Sequence, residues 1–426
     1  MVVTIVVLLI LAGVSISLVL DKNGIIQKSK DARREYGQAK ANEQADLNKV
    51  SEWIEKQANG NGETTKPIKV AVNEKATSNG TINGGEGNLN NPTIPEGYTP
   101  IDTETSEWGD GNSSPTQDSV DHGLVIRDDN NNEWVWIPVP DVTVMCDTSN
   151  QTEYTLCGTT GETAVKTKLY SKSEIISGQT RVTQGTTSDF REPDLLTSYD
   201  VKDTYYKTIL GEIGTKEQLA QLFVDEYKEM IESVSKYGGF YIGRYELSEA
   251  GVQKDKATLT GGNWYNLYNA CRNSKLQASD KVKTQMIWGC QWDVTMNWLI
   301  SSGAKTSDGV NKNSSTWGNY EDSTENAKVT VTEEDGTTTN KYGRKQNTGY
   351  SEYWKANNIY DLAGNCFEWT QEAYSTNSRA YRGGYCDVPG SRFPASYRDA
   401  GNPADSVYGL RFSSHFNNKV TLDSRA

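Results

Sequence analysis

Residues able to do chemistry are scarce in this chain. Its 426 residues include only two histidines, His122 and His415, and six cysteines. Two histidines are too few for a His-rich zinc or iron site and leave little for imidazole acid–base work. The cysteines, Cys146, Cys157, Cys271, Cys290, Cys366 and Cys386, form no CxxC pair, which argues against a zinc ribbon or thioredoxin-like motif. Cys146 and Cys157 flank a polar stretch and would close a surface hairpin in an oxidising compartment. The bland alternative is that the cysteines are buried thiols acting as small apolar residues. A net charge of −13 leaves no basic face to displace phosphate counterions, so no nucleic-acid partner is expected.

Binding chemistry is better represented than bond-making chemistry. From Ser375 to Asn418 there is no Lys, Glu, Gln, Met or Trp, types that make up roughly a fifth of the chain. Each missing type needs a purine in the third codon position. Those present fall within the set reached when codons ending in a pyrimidine change at their first two positions. Such a pattern points to diversification, and a segment that must change is usually one that binds. Between Arg382-Gly-Gly384 and Gly409-Leu-Arg411, two kinds of position alternate. Gly390, Ser391, Pro394, Ala395, Ser396, Arg398, Asn402, Pro403 and Ser406 read as fixed, holding loop geometry and satisfying loop backbone. Tyr385, Asp387, Val388, Arg392, Phe393, Tyr397, Asp399, Asp405, Val407 and Tyr408 read as changeable ligand contacts. Tyr, Phe, Arg and Asp in exposed loops give the contact vocabulary of adaptable paratopes.

Several elements must position that tail. Met1–Leu20 carries no charge and as a helix spans about 30 Å, enough to cross a bilayer. A polar helical pattern follows to Gln57, with Leu47, Val50, Trp53 and Ile54 on one face. Residues 58–93, rich in Asn, Gly, Thr and Glu, read as a flexible linker, and a C-terminal domain as 94–426. Within it, Leu124–Arg127 and Glu133–Ile137 read as strands around Asp128–Asn132. Thr215 and Gln218 form a capping box before an apolar stripe of Leu219, Leu222, Phe223, Met230, Ile231 and Val234. A strand over Phe240–Leu247 and helices near Trp264–Cys271 and Gln291–Ile300 come next. Residues 301–351 read as a polar insertion.

A series of motifs then runs in order: FYIGRYEL (240–247), NWYNLYNACRN (263–273), WGCQWDVTMNWL (288–299), NIYDLAGNCFEWT (358–370), YRGGY (381–385) and YGLRF (408–412). Over roughly residues 123–412 this resembles the formylglycine-generating enzyme (sulfatase-modifying factor) family. The resemblance implies an α+β, C-type-lectin-like fold with short strands and irregular loops. It also implies a copper-binding cysteine pair four and nine residues after the second glycine, where this chain has Val388 and Phe393. Only Cys386 follows the glycines, and a lone thiol cannot make a two-thiolate copper site, so neither copper nor oxidase activity is expected. The family's calcium site would fall on Asn365 and Glu368, oxygen donors suited to Ca²⁺.

Two further resemblances bear on use and location. The tail is similar to the rewritten segment of diversity-generating-retroelement variable proteins, which are C-type-lectin folds diversified between R-G-G and G-x-R, here 381–411. The N-terminal helix, 1–57, resembles that of type IV pilin-like proteins. Together they imply a membrane-anchored, cell-surface, non-catalytic receptor or adhesin that binds a protein or glycan on another cell or phage, with pilus subunits as a possible second partner. A copper-dependent oxidase and a structural minor pilin are the alternatives.

Overall fold

The structure is a computed structural model. It describes residues 67–103, 107–109, 112–142, 145, 195–196, 199–323, 329–332, 335–341, 343–375, 377–404, 416–417 and 420–424. The chain divides into Met1–Thr64 and Thr65–Ala426, and every described residue belongs to the second unit. The expected membrane and pilin-like helix therefore lies outside the described residues, as do Cys146, Cys157 and Gly409–Arg411. Among the described residues, no helix is long and apolar enough to cross a membrane.

The fold is mixed α and β, with several small sheets. A six-stranded sheet is its largest element, in the order β3-β4-β5-β6-β16-β7. These strands are β3 (Thr99–Ile101), β4 (Val125–Arg127), β5 (Glu133–Pro138), β6 (Gly239–Gly243), β7 (Val282–Met286) and β16 (Val420–Ser424). All six residues of β5 are buried, so both faces of the sheet are covered. Side chains alternate across a strand, and the core follows that alternation. Val135, Ile137, Phe240 and Ile242 enter one hydrophobic cluster, while Trp134, Trp136 and Tyr241 enter a second. Fully burying a large apolar side chain contributes about 1.5–3 kcal/mol, so these strands anchor both halves of the core.

The helix Lys216–Tyr237 has the anticipated reciprocal capping box at Thr215 and Gln218. Its stripe is buried at Leu219, Phe223, Met230, Ile231 and Val234, with Leu222 partly buried. Helices Trp264–Cys271 and Gly289–Ser301 also form where the sequence places them. The run Phe240–Leu247 is strand only as far as Gly243. There Arg244 turns away, donating to Glu133 at 2.8 Å and to the Asn358 carbonyl at 3.2 Å.

Two segments pack more tightly than their composition suggests. Residues 67–93 are not a loose linker. β1 (Ile68–Lys69) and β2 (Gly80–Thr81) pair in parallel, and Val70, Ala76, Ile82 and Leu89 are buried. The Trp136 indole donates to the Leu89 carbonyl at 3.0 Å. The asparagines that suggest a linker instead close turns: Asn83 accepts from Gly85 N–H, and Asn88 from Asn90 and Asn91 N–H. Likewise, the insertion after residue 301 buries Val310, Trp317 and Tyr320, a short helix Ser307–Asn311 supplying the first of these. A hairpin of β8 (Val329–Thr332) and β9 (Thr338–Lys341) follows.

The tail stands on a second sheet. A short pair, β10 (Lys355–Ala356) and β11 (Ile359–Tyr360), leads into it. Its order is β14-β13-β12-β15, from β12 (Phe367–Ser375), β13 (Ser378–Arg382), β14 (Arg398–Gly401) and β15 (Phe416–Asn417).

Candidate ligand-binding surface

β13 ends at Arg382, and the chain returns as β14 at Arg398, with Arg382 opposite Arg398 and Tyr381 opposite Asp399. The loop 383–397 between them carries most of the predicted contacts. Its first two residues have to be glycine. A Cβ on Gly383, whose φ is +71°, would sit 2.8 Å from the Glu368 carboxylate. One on Gly384 would meet the Phe393 carbonyl at 2.3 Å and the Tyr320 ring at 2.5 Å.

Beneath the loop lies a buried ionic frame. Arg382 donates to Asp293 at 3.0 and 3.3 Å and to Glu372 at 3.3 Å. Arg398 donates to Glu372 through Nε at 2.9 Å and also through Nη2, and its guanidinium covers the Tyr374 ring at 4.3 Å. Burial opposes ionisation of Glu372, but the Arg398 and Arg382 guanidinium groups outweigh it and hold the carboxyl below its ordinary range. Buried charges persist only when paired in this way.

The loop backbone is tied down at many points. Asn365 O accepts from Cys386 N–H at 3.3 Å, and Val388 O from Glu321 N–H at 3.0 Å. Gly390 N–H donates to Asp322 at 2.7 Å, Ala395 N–H to Ser314 Oγ at 2.9 Å and Ser396 N–H to Val310 O at 3.1 Å. Ala395 O accepts from the Trp292 indole at 3.1 Å. Each anchor is a main-chain group, so the backbone course does not depend on which side chains the anchored residues carry.

An aromatic cluster fills the space between frame and surface. The Phe367 ring lies 4.7 Å from Tyr381, 4.9 Å from Tyr385, 5.5 Å from Phe393 and 6.3 Å from Tyr397, centroid to centroid. Phe393 and Tyr397 are 4.5 Å apart. The Tyr397 hydroxyl donates to Asp399 at 2.8 Å. Burial, together with the Asp399 carboxylate, pushes both the Tyr397 and Tyr381 hydroxyls up, so both remain protonated donors.

The predicted contacts separate by depth. Asp387 and Arg392 are exposed, and Phe393, Tyr397 and Asp399 are half-buried. The Arg392 guanidinium lies 5.0 Å from the Phe393 ring centre, a cation–π contact at the rim. Contacts run from Arg392 through Phe393 and Tyr397 to Asp399. Tyr385 and Val388, expected as exposed contacts, are instead core residues, 8% and 6% exposed. Their stretch runs against 365 on one side and 321 on the other, which turns both side chains inward. Asp405, Val407 and Tyr408 lie outside the described residues. Of the residues read as fixed, Gly390, Pro394, Ala395, Ser396, Arg398 and Pro403 are buried, Asn402 is half-buried and Ser391 is exposed.

The two residues that the resemblance gives to calcium lie in the core. Asn365 is fully buried, with φ +59°. Its Oδ1 already accepts from Asn319 Nδ2 at 3.0 Å and from Gln346 N–H at 2.9 Å, and its Nδ2 donates to Glu246 at 2.7 Å. A carbonyl oxygen has two lone pairs, and both are used. Glu368 is buried beside Gly383. Among the described residues, no group of three or more His, Cys, Asp or Glu is placed to hold a metal.

The two positions that the resemblance gives to copper carry no thiol. Val388 and Phe393, at the positions where the family resemblance would put the cysteine pair, are apolar core and half-buried rim. Sequence reading missed one neighbour, however: the Cys386–Asn365 hydrogen bond brings Cys366 beside Cys386. Both thiols are fully buried. Burial pushes both up, with neighbouring carboxylates adding to it. No spacing rule links residues 366 and 386; the β12–β13 pairing that lies between them in the chain does.

Comparison with family models, with curated proteins and with solved structures finds no match.

Proposed function

We propose that this chain is a non-catalytic, surface-displayed receptor or adhesin whose C-terminal loop and strand bind a protein or glycan on another cell or phage. The observation that supports it most is the division of labour between Arg382 and Gly401. Main-chain anchors and a buried Arg–carboxylate frame fix the backbone, while Asp387 and Arg392 are exposed and Phe393, Tyr397 and Asp399 half-buried at its rim. Such a patch tolerates exchange of its outward side chains without loss of fold, which is what diversification of the tail requires.

In this reading the domain is a formylglycine-generating-enzyme-like, C-type-lectin-type frame that has lost the copper chemistry. Residues 381–411 are the target of a diversity-generating retroelement. The apolar N-terminal helix anchors the head to the membrane, in the manner of a pilin-like stalk. Asp405, Val407 and Tyr408 extend the contact set, and Tyr385 and Val388 support it from below.

The neighbouring DNA tests this directly. A near-copy of the 381–411 coding segment, differing only at adenines and lying beside a reverse transcriptase gene, is expected. Chains from related strains should then differ at Asp387, Arg392, Phe393, Tyr397 and Asp399 but keep Gly383, Gly384 and Arg398. Variation spread evenly through the domain would sink the reading.

A further inference from the structure

Cys366 and Cys386 are the feature that the binding surface leaves unused. Cys366 immediately precedes β12, whose first residue, Phe367, is the hub of the aromatic cluster. Cys386 sits two residues past the paired glycines, in a turn at the start of the loop. The 3.3 Å bond from Cys386 N–H to Asn365 O makes the two segments backbone neighbours. Chain segments joined by a backbone hydrogen bond run about 5 Å apart, inside the window of about 4.4–6.8 Å between Cα atoms that a disulfide spans. Both side chains are buried and both cysteines are reduced here. Burial raises both thiols, and the positive charge of Lys345 works against that at both. The other two described cysteines, Cys271 and Cys290, lie in different core clusters.

We propose that Cys366 and Cys386 form a disulfide when the protein meets a low-molecular-weight disulfide oxidant, stapling the root of the binding loop to β12. One thiolate attacks the oxidant and releases one small thiol; the second thiol displaces the other. One protein S–S bond forms, the oxidant's S–S bond breaks, and the two electrons and two protons leave on the two small thiols. The staple closes a segment of about 20 residues that contains β12, β13 and the paired glycines, and it restricts the unfolded chain accordingly. Because both sulfurs are buried, oxidation follows local opening and is slow in the closed fold. The staple does not depend on what the surface binds.

The full chain in mild detergent, equilibrated with reduced and oxidised glutathione at graded ratios, provides the test. Samples without urea and with sub-denaturing urea are quenched by alkylation and mapped by mass spectrometry without reduction. The expected result is a peptide linking Cys366 to Cys386, formed faster in urea, with a Tm higher by roughly 5 °C than the reduced form. The link should vanish in both Cys386→Ser and Cys366→Ala, so failure of one variant to fold leaves the other as control. Recovery of the two cysteines as alkylated thiols or as separate glutathione adducts at every ratio, with urea present, would overturn the proposal. So would linkage of either one to a different cysteine.

Discussion

Arg382 and Arg398 face each other across β13 and β14, and the single buried carboxylate of Glu372 binds both. Two like charges at adjoining register positions would repel in a low-dielectric interior. Glu372, with Asp293 on the far side of Arg382, turns that repulsion into a frame. Removing one member leaves the others buried and unpaired. Glu372→Gln is therefore expected to cost about 3–5 kcal/mol, read as a lower urea midpoint. A midpoint unchanged from the parent would mean the frame does not hold the sheet.

The same carboxylate sets an acid limit. Its folded pKa lies below the ordinary value of 4.5. Its contribution is therefore full above the unfolded value and is lost as pH falls through the lower, folded value. Stability should be level in this respect from neutral pH down to roughly 4.5 and then decline. The slope should be shallower in Glu372→Gln. Thermal unfolding at a series of pH values checks both, and an identical slope in the variant would remove Glu372 as the cause.

Depth within the aromatic cluster predicts graded costs. Phe367 touches four aromatic neighbours and is 2% exposed, so Phe367→Ala should cost about 3–5 kcal/mol. Phe393→Ala and Tyr397→Ala, at half-buried positions, should cost nearer 1 kcal/mol each while altering the surface. Urea denaturation of the three variants would separate them. Equal losses would make Phe393 and Tyr397 core residues and remove them from the contact set.

Gly384→Ala should be more damaging than its single methyl suggests. The added carbon meets a carbonyl and a ring that are themselves tied together, since Tyr320 donates its hydroxyl to the Phe393 carbonyl at 2.9 Å. Neither can yield alone, so a loss of about 1–3 kcal/mol is expected. A Tm equal to that of the parent would show that the loop can slide.

At Asn365 the expected role is structural. Calcium addition and chelation should leave Tm unchanged, whereas Asn365→Ala should lower it by removing the partner of Asn319, Gln346 and Glu246. A Tm that rises with calcium would return this residue to a metal site.

Much of the scaffold was legible in the residues because its signals are local. The capping box at Thr215 and Gln218, the apolar stripe behind it and the helices near Trp264 and Gln291 rest on hydrogen bonds and spacings within a few turns. The paired glycines and the fixed prolines of the tail were legible for the same reason, since backbone geometry restricts which residue types fit. Polar composition misled at 67–93, because asparagine satisfies turn backbone as readily as it solvates a linker, and four well-spaced apolar residues were enough to dock it.

What the chain by itself determined was where helices begin, which segments extend and where a loop has to carry glycine. All of these are decided by neighbours a few residues away. Only the tertiary structure decided that Tyr385 and Val388 point inward, that Glu372 joins two arginines and that Cys366 comes to rest beside Cys386. Those outcomes depend on contacts between strands, and the side a side chain faces reverses with a shift of one residue in pairing. No local pattern carries that register; the packing of the whole sheet selects it.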